Sequence, residues 1–386
     1  MARDTKTLKA SCHCGDAAHQ ITLPSTDLPL TCYFCNCDSC RHMTGTLFLS
    51  CAQLPPAYQP PATVLDKLTA FKFSGRITQY FCTRCGAHVY SYCLPNPKNP
   101  ESSEKWDIMS GTLETFDGAV ELKGHEYIQD TIDGGFTDFM PAVNGKTLKR
   151  WPYHPSDTEL PPYWRASDHP KSRGPGLRLP AHCKCKGVQF FIARPSSQST
   201  QADRPWPDLL IPHYEQTNTK DPAHETWWLR ANKTKFLAGL CSCDSCRLVS
   251  GMEITPWAFV PTIDITLDAE GKVPYQSQFG TLKSYNSSEG VTRYFCSNCG
   301  AIVFFEDADR ARTTLLDVAV GLLSAPEGAR AETWLEWRTE RLSYREDAVD
   351  RAGTLVEGLE NGLREFREKG YGRLGPTREV SEALDV

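Results

Sequence analysis

At 386 residues the chain is long enough for two or three domains, and its 40% hydrophobic content supplies ordinary packed cores. The 42 basic and 47 acidic residues leave a formal charge of -5, which excludes the basic footprint of a phosphate-backbone binder, so no nucleic-acid partner is expected. No apolar run reaches the ~20 residues that cross a bilayer, and the opening MARDTKTLKA lacks a signal peptide's apolar stretch, so the expectation is a cytoplasmic or nuclear protein without a membrane partner.

In chain order the first landmark is SCHCG (Ser11 to Gly15), followed by the short β-like run QITL. The phrase CNCDSCR (Cys35 to Arg41) comes next, then TLFLS, ITQYF and HVYSY, with the pair Cys82-Thr-Arg-Cys85-Gly between the last two. A stretch thick with proline and polar residues, from about 140 to 180, reads as a linker. The phrases then recur in the same order: HCKCKG (His182 to Gly187), CSCDSCR (Cys241 to Arg247) and Cys296-Ser-Asn-Cys299-Gly, set among VQFFIA, ITPWAFV, VTRYF and AIVFF. Alternating apolar residues broken by Gly and Pro predict a mainly β fold in each copy. Only LVEGLENGLREFREKG is helical in pattern, with Leu355, Leu359, Leu363 and Phe366 on one stripe of a C-terminal helix.

Seven cysteines correspond between the copies, which makes duplication the reading. The expected boundaries are 1–145 for the first domain, 146–177 for the linker, 178–350 for the second domain and 351–386 for the helix and tail. Cys14 and Cys35 are 21 residues apart but Cys185 and Cys241 are 56 apart, so the second copy carries an insertion near 195–235, whose polarity predicts a surface excursion.

Seventeen cysteines in a reducing compartment read as metal ligands before disulfides, and the sequons at Asn232 and Asn286 then carry no meaning. A structural zinc takes four ligands, whereas a catalytic one takes three and keeps an open position, so seven thiols suit one site of each kind. Spacing alone leaves open whether the late C-x-x-C pair joins the early C-x-C pair or part of the C-x-C-x-x-C phrase. His13, His88 and His182 flank ligands and read as packed or exposed neighbours; Cys51 and Cys93 read as small buried hydrophobes.

The order C-H-C-G, then C-x-C-x-x-C-R-x-x-x-G, then Y-x-S-S with R-x-F-C-x-x-C-G resembles the glutathione-dependent formaldehyde-activating enzyme and centromere protein V family, over residues of roughly 8–140 and 178–345. The resemblance implies two tandem zinc-ribbon-related β-rich domains with two zincs each. It places the structural zincs on Cys12, Cys14, Cys82 and Cys85 and on Cys183, Cys185, Cys296 and Cys299. The second zincs fall to Cys35, Cys37 and Cys40 and to Cys241, Cys243 and Cys246, whose open position would take a substrate thiol. It further implies a carbon-sulfur lyase that joins glutathione, the co-substrate, to formaldehyde or a related aldehyde as S-(hydroxymethyl)glutathione synthase does. The catalytic set is then Cys241, Cys243, Cys246, Arg247 and Arg293, with the two arginines meeting the carboxylates of glutathione. The other reading is a non-catalytic zinc scaffold that binds a protein.

The copies differ where the second has Tyr285, Ser287, Ser288 and Arg293 and the first has Phe71, Phe73, Ser74 and Gln79. The first copy also has Cys32 three residues before Cys35, where the second has Ala238. The expectation is that Cys32 caps the first copy's second zinc, against the other reading that it points into a β core, and that activity resides in the second copy.

Overall fold

The computed structural model describes residues 4–97, 103–167, 178–218, 226–307 and 314–370. The fold is mainly β, with one long helix at the end. The first copy builds an eight-stranded sheet in the order Lys149–Arg150, Val120–Glu126, Leu30–Cys35, Leu49–Gln53, Lys105–Met109, His88–Cys93, Ile77–Cys82, Leu68–Lys72. The second copy repeats it: Leu229–Arg230, Lys235–Cys241, Thr255–Pro261, Leu315–Ala319, Ile302–Asp307, Val291–Cys296, Leu282–Ser288, with Leu335–Trp337 paired to Lys235–Cys241. In both, the strand that leads into the C-x-C-x-x-C phrase pairs parallel to a late strand of its own copy. The Lys149–Arg150 strand lies within the stretch read as linker and pairs parallel to Val120–Glu126, so the first sheet extends past residue 145. The remainder of that stretch is described only to residue 167, and the tail beyond residue 370 lies outside the described residues.

The same local physics shapes each C-x-C-x-x-C phrase. The middle cysteine, Cys37 or Cys243, sits at the N-cap and its sulfur accepts the backbone N–H of Cys40 or Cys246 at 3.3 Å, which starts the Asp38–Thr44 and Asp244–Ser250 helices. Gly45 and Gly251 end them in the left-handed conformation, at φ 80° and 78°. These two glycines also join the copies. Gly321 N–H donates to Gly45 O at 2.9 Å, and Gly111 N–H donates to Gly251 O at 3.0 Å, so each short helix ends against the other copy. A Cβ at Gly45 would strike the Ile302 carbonyl and one at Gly251 the His88 carbonyl. The interface also carries a buried charge cluster. Arg330, fully buried, meets Asp138 at 3.3 Å and Glu332 at 2.9 Å, and its backbone N–H donates to Asp133 at 2.8 Å.

The apolar stripe read from the sequence forms the buried face of the Arg345–Glu368 helix, where Leu355, Leu359, Leu363 and Phe366 are all buried. Phe366 packs edge-on to Phe139 of the first copy at 5.0 Å, and Arg351 pairs with Glu253 of the second at 2.7 Å, so the helix straps both copies. Its first turn begins at Arg345, inside the expected second domain.

The insertion is not the surface excursion that its polarity suggests. Arg204, Asp208, Leu209, Trp227 and Trp228 are buried, and Arg204 forms an ion pair with buried Asp317. A Cβ at Gly239 would run into Leu209, so the missing side chain in the Lys235–Cys241 strand is what lets the insertion lie on the sheet. The position equivalent to Gly239 in the first copy is Tyr33, which packs on Trp151 at 5.9 Å instead. Residues 219–225 of the insertion lie outside the described residues.

Candidate metal centres and the pocket of the second copy

Four groups of thiols converge: Cys12, Cys14, Cys82 and Cys85; Cys183, Cys185, Cys296 and Cys299; Cys35, Cys37 and Cys40; and Cys241, Cys243 and Cys246, each group with its sulfurs within 4.8 Å of one another. The open choice of partition therefore falls to the early C-x-C pair with the late C-x-x-C pair. Thiolates about 2.3 Å from a tetrahedral zinc stand ~3.8 Å apart, which the observed sulfur pairs at 3.5 Å approach. All the described cysteines are free thiols. These donor sets can hold zinc: the four-thiol sets as closed sites, the three-thiol sets with one position left for another ligand.

Within the second three-thiol set, hydrogen bonds from Cys241 and Cys243 and then the Arg293 guanidinium hold Cys246 well below the ordinary thiol range. Arg293 is buried. Its Nη1 lies 3.5 Å from Cys246 Sγ and its Nε donates to Ser287 Oγ at 3.1 Å. Arg247 is placed elsewhere. Its guanidinium bonds Asp244 at 2.6 Å and the first copy's Leu113 and Gly111 carbonyls at 3.1 and 2.5 Å. Buried on the face toward the other copy, it is an interface residue and is not among those lining the pocket beside the cysteines.

A row of register partners crosses the second sheet next to this site: Phe259, Asp317, Phe305, Arg293 and Tyr285. The same row in the first copy reads Gln53, Asp107, Ser91, Gln79 and Phe71. Around the first three-thiol set, Cys40 packs with Met43, Leu49, Met109 and Met252, and Phe71 and Phe73 close against that cluster. Gln79 turns to Ser91 at 3.1 Å, and Lys184 of the second copy lies over the Phe73 ring at 5.3 Å.

Cys32 does not join the first three-thiol set. The Leu30–Cys35 strand buries Leu30, Cys32 and Phe34 on one face, and a period of two sends Cys35 to the other. Burial pushes the Cys32 thiol up to about 12, and its nearest polar partner is Ser50 Oγ at 3.4 Å. It is a core residue, and the capping expectation is withdrawn. His13 bonds Tyr285 of the second copy at 2.9 Å, His88 bonds the Met43 carbonyl at 3.1 Å, and His182 stacks on His42 at 4.1 Å. None of the three is grouped with the thiols.

A cavity of about 300 Å³ opens onto Cys241, Cys243 and Cys246. Its walls include Arg204, Trp206 and Leu209 of the insertion, Trp257 and Phe259 of the sheet, and Ser343, Tyr344 and Asp347 at the start of the last helix. Sequence reading missed these wall residues. The usable signal was Trp206, Trp227 and Trp228 in an otherwise polar stretch, since indoles are seldom left in solvent.

Duplicated β sheets, each with a four-thiol set and a three-thiol set that could hold zinc, define a tandem protein of candidate metal-thiolate domains. The glutathione-dependent formaldehyde-activating enzyme model matches residues 7–130 and 228–339, more than half of the chain, and the chain belongs to that family. The second match begins after Cys183, Cys185 and most of the insertion, yet the fold returns those two cysteines to Cys296 and Cys299. No curated protein and no solved structure matches the chain. Among the described residues no helix is long and apolar enough to cross a membrane.

Proposed function

We propose that the second copy catalyses reversible addition of a thiol to an aldehyde, as a carbon-sulfur lyase of the S-(hydroxymethyl)glutathione synthase type, with glutathione as co-substrate and two zincs in each domain. The carrying observation is the cavity that ends on Cys241, Cys243 and Cys246 beside buried Arg293. Cys241, Cys243 and Cys246 would hold a zinc, which would favour the thiolate form of an incoming thiol. In the addition the sulfur-carbon bond forms, the carbonyl π pair moves to oxygen, and that oxygen takes the proton the thiol gave up. Arg293 stands beside the thiolates with Ser287 fixing its Nε, so its positive charge is held in place where negative charge accumulates. The cavity walls would hold the reacting groups together over the thiols.

The first copy plays a structural part in this reading, because Phe71, Phe73 and Gln79 stand where the second copy has Tyr285, Ser287 and Arg293. The test is zinc content and zinc-edge X-ray absorption on the whole protein with and without glutathione, for the native chain and for Cys243→Ala. One added sulfur ligand per chain, absent in a folded Cys243→Ala protein together with the exchange activity, supports the proposal. Full zinc occupancy with indifference to glutathione overturns it in favour of a zinc scaffold.

A further inference from the structure

We infer that the aldehyde taken by the second copy carries a planar apolar group and no negative charge; this rests on the thiol-addition reading above and names its substrate class. Formaldehyde offers a pocket nothing but a CH₂ group and one oxygen. The cavity over Cys241, Cys243 and Cys246 is instead faced by Tyr344 and by four further aromatic residues, Trp206, Trp257, Phe259 and Phe305. Three of these four belong to the sheet, and the register pairs them with Cys51, Gln53 and Ser91 in the first copy. The fourth, Trp206, is delivered by the insertion, which has no counterpart there. The aromatic walls are thus specific to the copy with the open cavity, and general packing of the fold does not require them.

Both cations that face the cavity are already committed. Arg204 pairs with Asp317 and lies 5.7 Å from the Phe305 ring centre, and Arg293 serves Ser287 and Cys246 while stacking over the same ring at 4.8 Å. Asp307 and Asp347 add further acidic side chains to the lining. A carboxylate or phosphate on the aldehyde, held against the aromatic walls, would lose its hydration and meet no uncommitted cation among the described residues that line the cavity, whereas the carboxylates of glutathione are several bonds from its sulfur and can stay in solvent. An aryl ring meets faces and edges of aromatic side chains, a contact that contributes beyond the area buried. In the step itself the aryl aldehyde carbon accepts the thiol sulfur, the carbonyl π pair becomes a hydroxyl lone pair, and the thiol's proton completes the hydroxyl.

The experiment uses the zinc-loaded full chain with glutathione and three aldehydes: formaldehyde, benzaldehyde and 4-carboxybenzaldehyde. Exchange between aldehyde and hemithioacetal is read by NMR, and binding of benzyl alcohol, which has no electrophilic carbon, is read by saturation transfer. We expect kcat/KM for benzaldehyde to exceed that for 4-carboxybenzaldehyde by about tenfold or more, and the benzaldehyde-to-formaldehyde ratio to fall by about tenfold in Trp206→Ala. Phe305→Ser, which installs the residue the first copy has at that register position, is the second variant should Trp206→Ala fail to fold. Acceleration of formaldehyde alone, with no saturation transfer to benzyl alcohol, overturns this inference and leaves thiol addition standing. Acceleration of no aldehyde, with benzyl alcohol still bound in a Trp206-dependent way, overturns thiol addition and leaves the aromatic site standing. Equal rates for benzaldehyde and its carboxylate overturn the charge selection.

Discussion

Replacing Cys296 by Ser removes one thiolate from a closed four-sulfur set and should unfold more than the copy that contains it. Cys296 is fully buried, 3.5 Å from Cys185 Sγ and 3.1 Å from Thr281 Oγ1. Structural zinc contributes on the order of 10 kcal/mol to folding of small modules, so an equal share per ligand is about 2.5 kcal/mol, and total loss of the ion removes all of it. Folded domains hold ~5–15 kcal/mol in reserve, so loss of the ion consumes most or all of the second copy's stability. The first copy cannot be spared, because the Gly321 to Gly45 and Gly111 to Gly251 hydrogen bonds and the Arg330 cluster all cross the interface. Zinc by plasma mass spectrometry, with thermal melts followed by far-ultraviolet circular dichroism and tryptophan fluorescence, reads both consequences. The expected outcome is loss of both zincs of the second copy and one cooperative transition lowered by on the order of 10 °C or more. Wild-type zinc content and melting would show that Cys296 holds no metal. Two separate transitions, one at the native temperature, would show that the copies do not depend on each other.

Three further outcomes follow from buried groups. Arg330→Met should cost about 3–5 kcal/mol in urea melts, because it strands buried Asp133 without its counter-charge and leaves Asp138 with Arg165 alone; a change below about 1 kcal/mol would show that the cluster does not hold the interface. Burial pushes the Asp264 carboxyl up to about 6, against the Ser199 hydrogen bond at 2.9 Å and the nearby Arg178. A raised folded value means that its contribution is complete below about pH 4 and is lost as pH rises through about 6, so Asp264→Asn should flatten the stability-pH curve across that window. An unchanged slope would refute the assignment. Cys32→Ala should lower stability by about 1–2 kcal/mol through a small cavity while leaving zinc content untouched; loss of a zinc would restore the capping role that the strand geometry removes.

Ligand chemistry was legible because it is local: C-x-x-C turns and a C-x-C-x-x-C phrase place sulfurs within a few ångström whatever the rest of the fold does. The stripe through Leu355, Leu359, Leu363 and Phe366 was legible for the same reason, one helical period deciding one face. Cys32 was misread because closeness in sequence was taken for closeness in space, and an odd offset of three in an extended strand points Cys32 and Cys35 to opposite faces. The insertion was misread because average polarity hid a few large apolar residues, and only the absent side chain of Gly239 explains where Leu209 goes. Arg247 could not be placed at all from one copy, since its Gly111 and Leu113 acceptors belong to the other.

That cross-copy dependence also bears on why the chain carries two sheets when one has the open cavity. The C-terminal end of each short cysteine helix is completed by the other copy, and the His13 ring of the first copy meets the Tyr285 hydroxyl of the second. Removing the first copy would expose the Gly251 carbonyl, the Arg247 guanidinium and the buried face of the last helix together. The first three-thiol set is packed by its own copy's Met43, Leu49 and Met109 and by Met252 of the second copy. Phe71 and Phe73 in place of Tyr285 and Ser287, and Gln79 in place of Arg293, exchange polar side chains for apolar packing, with Lys184 of the second copy lying over the Phe73 ring. Duplication thus gives both copies a part in one shared scaffold, and the insertion and the aromatic row are found on the copy whose three-thiol set opens onto the cavity.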